Sequence, residues 1–204
     1  IGFVPLGKRG PGAVNRMSKI HGVEIKALCD VRPERAEKVK KSLESTKHRP
    51  ELFTAGENDW KKMCERKDID LIYIATPWSL HAPMAVYAME QGKHAASEVP
   101  AAVTLDECWQ LVETSEKTKR HCMILENCCY DFFELMTLNM ARQGFLGETM
   151  HVEGAYIHDL LHMNFEKDQY YDMWRLKENF RDGSLYPTHG LGPIAQLLNV
   201  NRGD

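Results

Sequence analysis

Tyrosine and histidine side chains toward the end of the chain are suited to proton transfer. Tyr156 lies in the segment GAYIHDL, and His189 lies in LYPTHGLGP, where we expect a turn bracketed by a proline and a glycine. Both side-chain types act as general acids or bases when their surroundings tune the pKa. Tyr186 and His158 are second candidates for the same work, and Arg175 offers a planar fork of donors to a hydroxyl or carbonyl group. The tyrosines and histidines also have a structural interpretation, as core, interface or turn residues.

Carboxylates and metal ligands form no comparable pattern in this region. Four acidic residues are interpreted as solvated surface side chains: Asp159, Glu166, Asp168 and Asp172. His158 and His162 have the i, i+4 spacing of a metal-binding pair on one helix, but no third ligand presents itself, and HDLLH is not the HExxH pattern. None of the six cysteines forms a CxxC pair, so we expect buried, reduced thiols. No metal site is predicted.

A glycine-rich turn, IGFVPLGKRGPG, opens the chain. Gly7 and Gly10 stand in register with the last two glycines of the G-x-G-x-x-G dinucleotide fingerprint, and Pro5 occupies the first position. Asp30 follows Gly10 at the spacing of about 20 residues expected for a carboxylate that binds the adenosine ribose hydroxyls. An acidic residue there favours NAD over NADP. The alternative is an ordinary turn between a strand and a helix.

Further candidates lie where later strands are predicted to end, because ligands of open α/β sheets bind beyond the carboxyl ends of the strands. These ends are Thr76-Pro77-Trp78, Glu98-Val99-Pro100 and Glu126-Asn127. Trp78 is suited to stacking near a cofactor, and Asn127 to a hydrogen bond with a ribose or an amide. Structural packing is the alternative for each of them.

An alternation of strands and helices must position these side chains. Five segments predict strands: IGFV, VEIKALCD, IDLIYIATP, KHAASEVP and HCMILEN. Pro33 is placed for the first turn of a helix, and Thr104 forms a capping box with Glu107 at the start of another. The βαβα order predicts an α/β fold, a Rossmann-type doubly wound parallel sheet. The segment TMHVEGAYIHD predicts a strand of a new unit, which contains Tyr156.

The change of pattern after about residue 148 predicts a domain boundary near Gly147. We expect residues 1–147 to form an NAD-binding Rossmann domain and residues 148–204 to begin a second domain. The chain starts inside a predicted strand at Ile1, without an initiator methionine, and stops at NVNRGD. We therefore expect a fragment.

Composition excludes several classes of protein. The 204 residues are 43% hydrophobic and 27% charged, which is typical of a globular protein with a core. The net charge of −3, without a basic block, predicts no nucleic-acid partner. No apolar run approaches the roughly 20 residues of a membrane span, so none is predicted.

These segments together resemble the Gfo/Idh/MocA oxidoreductase superfamily, in IGFVPLGKRG, in CD after the second strand and in ATPWSLHAPMAVYAMEQGKHAASEVP. That superfamily usually carries a Glu-Lys-Pro triplet, whose lysine positions substrate and moves a proton during alcohol oxidation. Here the triplet is Glu98-Val99-Pro100, without the lysine. A narrower resemblance accounts for this difference. The chain closely resembles glycosyl hydrolase family 109, the NAD-dependent α-N-acetylgalactosaminidases, in TPWSLH, SEVPAAVTLDECW, LENCCY, GAYIHDL, MWR, LYPTHGLGP and NVNRG.

The resemblance implies roles for particular residues, and it implies that residues 148–204 begin a substrate-binding C-terminal α/β domain with an open α+β sheet. The glycines Gly7 and Gly10 of the fingerprint belong with the cofactor contacts. The implied cofactor contacts are Lys8, Arg9, Asp30, Trp78, Ser79, Leu80, His81, Glu98, Val99 and Asn127. The implied sugar contacts are Tyr156, Arg175, Tyr186, Pro187, Thr188 and His189. His158, a second candidate for proton transfer, is expected to contact the sugar as well.

The resemblance also implies a reaction: hydrolysis of terminal α-linked N-acetylgalactosamine with NAD as cofactor. The sugar is transiently oxidised at C3, the glycosidic bond breaks by elimination, water adds, and C3 is reduced again, with no net redox. Tyr156 and His189 are our catalytic candidates.

An NAD-dependent sugar or polyol dehydrogenase is the alternative, against which Val99 argues. A third reading is a cofactor-binding regulatory or inactive paralogue, which Pro5 leaves open. The implied partner is a glycan or glycoconjugate. Homo-oligomerisation stays open, as do an exported, periplasmic location and a cytoplasmic one.

Overall fold

The computed structural model describes residues 1–165, 173–184 and 186–201. Contacts within the chain divide it into two compact units, Ile1–Ile124 and the residues from Leu125 onward. This division falls earlier in the chain than the boundary predicted near Gly147. The extents of the domains predicted from the sequence remain a proposal.

The first unit is built on one parallel sheet. Its strands are β1 Gly2–Val4, β2 Ala27–Cys29, β3 Glu51–Phe53, β4 Leu71–Ile74, β5 His94–Ser97 and β6 Cys122–Ile124. Their order is β3-β2-β1-β4-β5-β6, and every neighbouring pair is parallel. This is the strand order of a doubly wound dinucleotide-binding fold. The predicted fold class is confirmed, although β3 was not predicted.

Helices connect these strands. They are α1 Gly10–Met17, α2 Pro33–Ser42, α3 Asp59–Glu65, α4 His81–Glu90 and α5 Leu105–Thr118. Pro33 begins α2, as predicted. The capping box of α5 is present, because Thr104 accepts the backbone N–H of Glu107 while the Glu107 carboxylate accepts the N–H of Thr104. In α4 a stripe of apolar residues is buried, including Ala82, Ala85, Ala88 and Met89.

The central strands are apolar because both faces of the sheet are covered. Phe3, Leu28, Ile72 and Ile74 are completely buried. Strands that are buried on both faces show continuous apolar runs instead of alternation, which is why IGFV and LIYI are recognisable in the sequence. The core therefore holds the carboxyl ends of β1, β2, β4 and β5 at one edge of the sheet.

The second unit differs from its prediction. Its helices are α6 Phe132–Arg142, α7 Leu161–Asn164, α8 Trp174–Glu178 and α9 Thr188–Leu197. The strand predicted over TMHVEGAYIHD is wrong, since residues 151–160 form neither strand nor helix. A strand needs a neighbour that accepts its backbone hydrogen bonds, and the described part of this unit contains no other strand.

Two local predictions in this unit are also wrong. His189 does not lie in an isolated turn, because Thr188 begins α9 and His189 lies in its first turn. His158 and His162 do not share a helix, since α7 begins only at Leu161. The carboxylate of Asp159 accepts the backbone N–H of Leu161. The other three acidic candidates lie outside the described residues: Glu166, Asp168 and Asp172.

The six cysteines are all free thiols, of which Cys29, Cys64 and Cys129 are buried while Cys108 is exposed. Among the described residues, no helix combines the length and apolar character needed to cross a membrane.

Candidate functional site

The glycine-rich turn joins β1 to α1 by a close approach of two backbone segments. A Cβ atom added to Gly10 would overlap the carbonyl oxygen of Pro5, so only glycine fits there. The first turn of α1 contains no acidic side chain, and the exposed residues Lys8 and Arg9 precede it. A helix N-terminus is a site of positive potential that favours phosphate groups. The turn therefore fits a pyrophosphate although Pro5 replaces the first glycine of the fingerprint.

Asp30 closes this turn from the end of β2. Its side chain is buried, with Oδ2 accepting the backbone N–H of Leu6 at 2.7 Å and Oδ1 accepting that of Arg32 at 2.9 Å. Each carboxylate oxygen has a second lone pair, so these bonds are compatible with a further donor. The carboxylate holds the loop after β1 against the end of β2. Its predicted contact with ribose stays a prediction.

The short 3₁₀ turn Trp78–Leu80 follows β4. Trp78 is buried beneath the loop, whereas Ser79 and Leu80 are exposed. The next residue, His81, is 1% exposed, and its Nδ1 and Nε2 lie 2.6 Å from the carbonyl oxygen of Pro100 and 2.8 Å from that of Thr76. Burial lowers the pKa of His81, while the two carbonyl groups act in the opposite direction. His81 thus ties the loop after β4 to the loop after β5.

Glu98, the first residue of the altered triplet, is positioned by a tyrosine. Tyr73 lies on β4 opposite Ala96 of β5, and its hydroxyl donates to Glu98 Oε1 at 2.5 Å. Burial, followed by the neighbouring Glu98 carboxylate, raises the pKa of Tyr73, so the phenol stays a neutral donor. Val99, which replaces the lysine of the superfamily, is buried and has no titratable group. The triplet therefore keeps a carboxylate in a fixed place and loses a proton carrier.

The second unit contains a buried pair of a carboxylate and an imidazole. His189 Nδ1 lies 2.6 Å from Glu126 Oε1, and the two side chains are 6% and 7% exposed. The same carboxylate oxygen accepts the backbone N–H of Cys128 at 2.9 Å. A histidine that donates from Nδ1 to a carboxylate presents Nε2 as its remaining acid or base. Glu126 is therefore suited to fix the tautomer and the orientation of His189.

Two tyrosines and a second histidine surround His189. Tyr156 Oη lies 2.6 Å from His158 Nδ1. The Tyr156 and His189 rings have their centroids 4.9 Å apart, and the Tyr186 ring lies 5.2 Å from Tyr156 and 4.7 Å from His189. We call Glu126, Tyr156, His158, Tyr186 and His189 the His189 cluster. Four of its members were predicted from the sequence, and the structure brings them together.

Glycines make this cluster possible. A Cβ on Gly190 would lie 2.8 Å from the carbonyl oxygen of Gly154, and a Cβ on Gly154 would lie 2.7 Å from that of Gly190. This contact holds the segment of Tyr156 against the first turn of α9. A Cβ on Gly192 would meet Cys129 Sγ at 2.8 Å, so the turn after Glu126 also packs directly on α9. The sequence THGLGP thereby lets three segments converge on His189.

Other predicted residues lie around the cluster or apart from it. Pro187 precedes α9 and Thr188 is its first residue, so both are chain neighbours of His189. Arg175 lies on α8, where its guanidinium is 5.2 Å from the Trp174 ring. Asn127 is exposed at the start of the turn Cys128–Tyr130. The contacts of Arg175 and Asn127 with sugar or cofactor stay predictions.

Glu126 is the residue whose function sequence reasoning missed. The sequence indicated it only as one of several polar residues at strand ends. Its partner His189 is 63 positions away in the chain, and spacing alone does not predict such a pair. The available signal was an acidic residue directly after the apolar run CMIL, where burial demands a hydrogen-bonding partner.

Comparison with known proteins assigns both parts of the chain to known families. Residues 1–126 match the model of the oxidoreductase family with an NAD-binding Rossmann fold (Gfo/Idh/MocA), and residues 130–204 match that of the glycosyl hydrolase 109 C-terminal domain. The structure resembles, as a fold, the aldose–aldose oxidoreductase of Caulobacter crescentus complexed with glycerol. That match has a TM-score of 0.70 and 19% identity and covers 97% of this chain and 57% of the other.

The relatives that are similar over all of this chain include the following two. Glycosyl hydrolase family 109 protein 1 of Phocaeicola vulgatus is 56% identical over 207 residues, and an alpha-N-acetylgalactosaminidase of Bacteroides fragilis is 54% identical over 209 residues. The chain spans 43% and 49% of their respective lengths.

The fold and the glycine turn define a nicotinamide-dinucleotide-binding Rossmann protein of the Gfo/Idh/MocA type. The match of residues 130–204 and the identity with the relatives identify the family within that class. The chain belongs to glycosyl hydrolase family 109.

Proposed function

We propose that the protein is a glycoside hydrolase that releases terminal α-linked N-acetylgalactosamine from glycans or glycoconjugates, with bound NAD and no net redox. One observation carries this proposal: the buried hydrogen bond of 2.6 Å between Glu126 and His189, beside the hydrogen-bonded Tyr156 and His158. These two contacts make His189 and Tyr156 available as proton-transfer groups within one aromatic cluster. The name of the Bacteroides fragilis relative supports the substrate.

The residues of the first unit would hold the cofactor. Gly10 leaves room for a pyrophosphate at the N-terminus of α1, and Lys8 and Arg9 add positive charge. Bound NAD would supply a hydride acceptor and, at the end of the reaction, a hydride donor for C3 of the sugar. The acidic Asp30 disfavours a 2′-phosphate and favours NAD over NADP.

His189 is suited to remove and return a proton through Nε2. Its Nδ1 donates to Glu126, so the imidazolium that forms when Nε2 takes a proton is stabilised by a buried carboxylate. General acid–base groups of this kind contribute about 10²–10⁴-fold to a rate. In the proposed reaction, this proton comes from C2 or from the C3 hydroxyl of the sugar.

Tyr156 is suited to exchange the second proton. Its hydroxyl shares a short hydrogen bond with His158 Nδ1, which can accept the phenolic proton when Tyr156 acts as a base and return it when Tyr156 acts as an acid. Conventional glycosidases use two carboxylates on either side of the scissile bond. Here one oxygen of the Glu126 carboxylate, Oε1, is already hydrogen-bonded to His189 and to the backbone of Cys128, and the group orients an imidazole, which favours an elimination route.

A sugar or polyol dehydrogenase on the same scaffold is the second candidate. The Rossmann unit favours it as a class, and the buried Val99 argues against it, because this side chain cannot move a proton. The two functions differ in the fate of the cofactor. A hydrolase returns NAD to its oxidised form in each turnover, whereas a dehydrogenase accumulates NADH.

The test follows nitrophenol release from a nitrophenyl α-N-acetylgalactosaminide by the intact protein, without added cofactor, together with the absorbance of free NADH. We expect steady release without NADH. The variant His189→Gln should lose about 10²-fold or more of the rate, and the exposed control His21→Gln should retain it. No release, together with NADH formed from a free sugar, would assign the protein to the dehydrogenases.

A further inference from the structure

Three potential metal ligands converge at the buried end of the His189 cluster. One ligand atom each from Glu126, Cys128 and His189 lies within 4.8 Å of the others. An imidazole, a thiolate and a carboxylate are the usual donors of zinc sites. Two of these residues come from the turn after β6 and the third from the first turn of α9, so the packing of α9 on that turn assembles the group.

A second observation points to a cation. Glu126 Oε1 accepts hydrogen bonds from the Cys128 backbone and from His189, whereas Oε2 is buried and has no hydrogen-bond partner among the described residues. The side chain is 7% exposed. A buried carboxylate oxygen without a donor is unfavourable, because it has lost its hydration and gained nothing in return. A divalent cation would satisfy it.

We propose that Zn²⁺, or another thiophilic divalent cation, binds Glu126, Cys128 and His189 and thereby inhibits the enzyme. The inhibition rests on the proposed function, and the binding does not. The donor atoms of a tetrahedral zinc site lie about 3–4 Å apart, so small side-chain rotations complete the site. Three protein ligands leave a fourth position for water, unlike the closed arrangement of four protein ligands in structural zinc sites.

Binding changes the state of two of the ligands. Cys128 loses its thiol proton to solvent, as cysteine does at metal sites. His189 Nδ1 gives up its hydrogen bond to Glu126 when it binds the metal, because a lone pair on that atom then faces the cation, and its proton moves through solvent to Nε2. The cation therefore competes with the hydrogen bond that orients His189 for proton transfer. Cys128 is half-buried, which leaves a route for the ion from solvent.

Direct binding is tested with Co²⁺, which reports a thiolate ligand through a charge-transfer absorption band. The intact protein, loaded with NAD, is titrated with Co²⁺ and then with Zn²⁺. We expect a thiolate–cobalt band that Zn²⁺ removes. Cys128→Ser should abolish the band, while the control Cys108→Ser, at an exposed cysteine of α5, should retain it. Circular dichroism confirms that both variants are folded.

Inhibition is measured separately, as nitrophenol release against Zn²⁺ concentration. Cys128→Ser should raise the inhibitory concentration about tenfold or more relative to Cys108→Ser. A wild-type protein without the cobalt band, or a band that survives in Cys128→Ser, overturns the proposed site. A normal cobalt band with unchanged hydrolysis in the presence of Zn²⁺ overturns the inhibition. A protein without any hydrolase activity refutes the proposed function, and the cobalt band still decides the site.

Discussion

At the scale of single residues, the contact between Glu126 and His189 Nδ1 leads us to expect that Glu126 leaves Nε2 as the available nitrogen. The variant Glu126→Gln replaces a carboxylate acceptor for the Nδ1–H group with a neutral amide. We expect kcat to fall about 10–100-fold, the range found when a group that orients a functional histidine is removed, while KM changes little. Steady-state kinetics separate the two constants. Glu113→Gln, on the exposed face of α5, is the control. A higher KM with an unchanged kcat would contradict a role in positioning His189.

Tyr73 positions the carboxylate of Glu98, a predicted cofactor contact. Its hydroxyl donates to Glu98 at 2.5 Å, in a partly buried place. Hydrogen bonds to charged groups contribute about 1.5–3 kcal/mol, so Tyr73→Phe should weaken NAD binding about tenfold or more if Glu98 contacts the cofactor. Isothermal titration with NAD measures this. Tyr87→Phe is a matched control, because its hydroxyl donates to Glu65 at 2.8 Å in an exposed place. Equal NAD affinities of the two variants would contradict a contact between Glu98 and the cofactor.

His94 couples the stability of the first unit to pH. Its Nδ1 accepts the backbone N–H of His121 at 2.9 Å, and burial, followed by the nearby His121 and Arg120, lowers its pKa below 6.5. The unfolded chain thus takes up this proton first. The stabilisation is complete above pH 6.5 and is lost as the pH falls from there toward the folded pKa.

Calorimetric melting at neutral and at mildly acidic pH tests this linkage. We expect the melting temperature of His94→Gln to fall less on acidification than that of the unsubstituted protein. His21→Gln, at an exposed position, should behave like the unsubstituted protein. An identical pH dependence in all three proteins would show that His94 does not contribute.

At the scale of secondary structure, the sequence predicts elements whose stability is local or fully buried. The strand of Ile72 and Ile74 is a continuous apolar run, and the capping box of Thr104 and Glu107 is a local signal, so both are recognisable. Helix α9 is not, because Gly190, Gly192 and Pro193 are poor helix formers. Its stability must come from packing. The pairing of Glu126 with His189 is not predictable from the sequence either, because it depends on the packing of α9.

The stability of the variant Gly190→Ala distinguishes the effect of helix propensity from that of packing. Propensity alone predicts that Gly190→Ala stabilises α9 by up to about 1 kcal/mol. The structure predicts the opposite, because the new Cβ would lie 2.8 Å from the backbone oxygen of Gly154. We expect a lower melting temperature and reduced turnover, and the same defect for the reciprocal Gly154→Ala. A more stable and fully active Gly190→Ala protein would refute this contact.

At the scale of the whole molecule, the proposed chemistry divides between the two compact units. The glycine turn and the residues that position Glu98 lie in the first unit, and the His189 cluster lies in the second. If each unit performs its own part, cofactor binding and proton transfer should fail independently. Gly10→Ala fills the close approach to Pro5 and should weaken NAD binding strongly. His189→Gln removes a proton carrier and should leave NAD binding unchanged.

The measurement is a pair of constants for each variant, the dissociation constant of NAD and the rate of nitrophenol release at saturating NAD. We expect Gly10→Ala to lose affinity by about tenfold or more and to recover part of its turnover when NAD is added in excess. His189→Gln should bind NAD normally and lose turnover that no concentration of NAD restores. This crossed result follows only if Gly10 acts through the cofactor and His189 through protons. A His189→Gln protein that fails to bind NAD would instead place the histidine in the cofactor site, and the proton-transfer function would then have to rest on Tyr156 and His158.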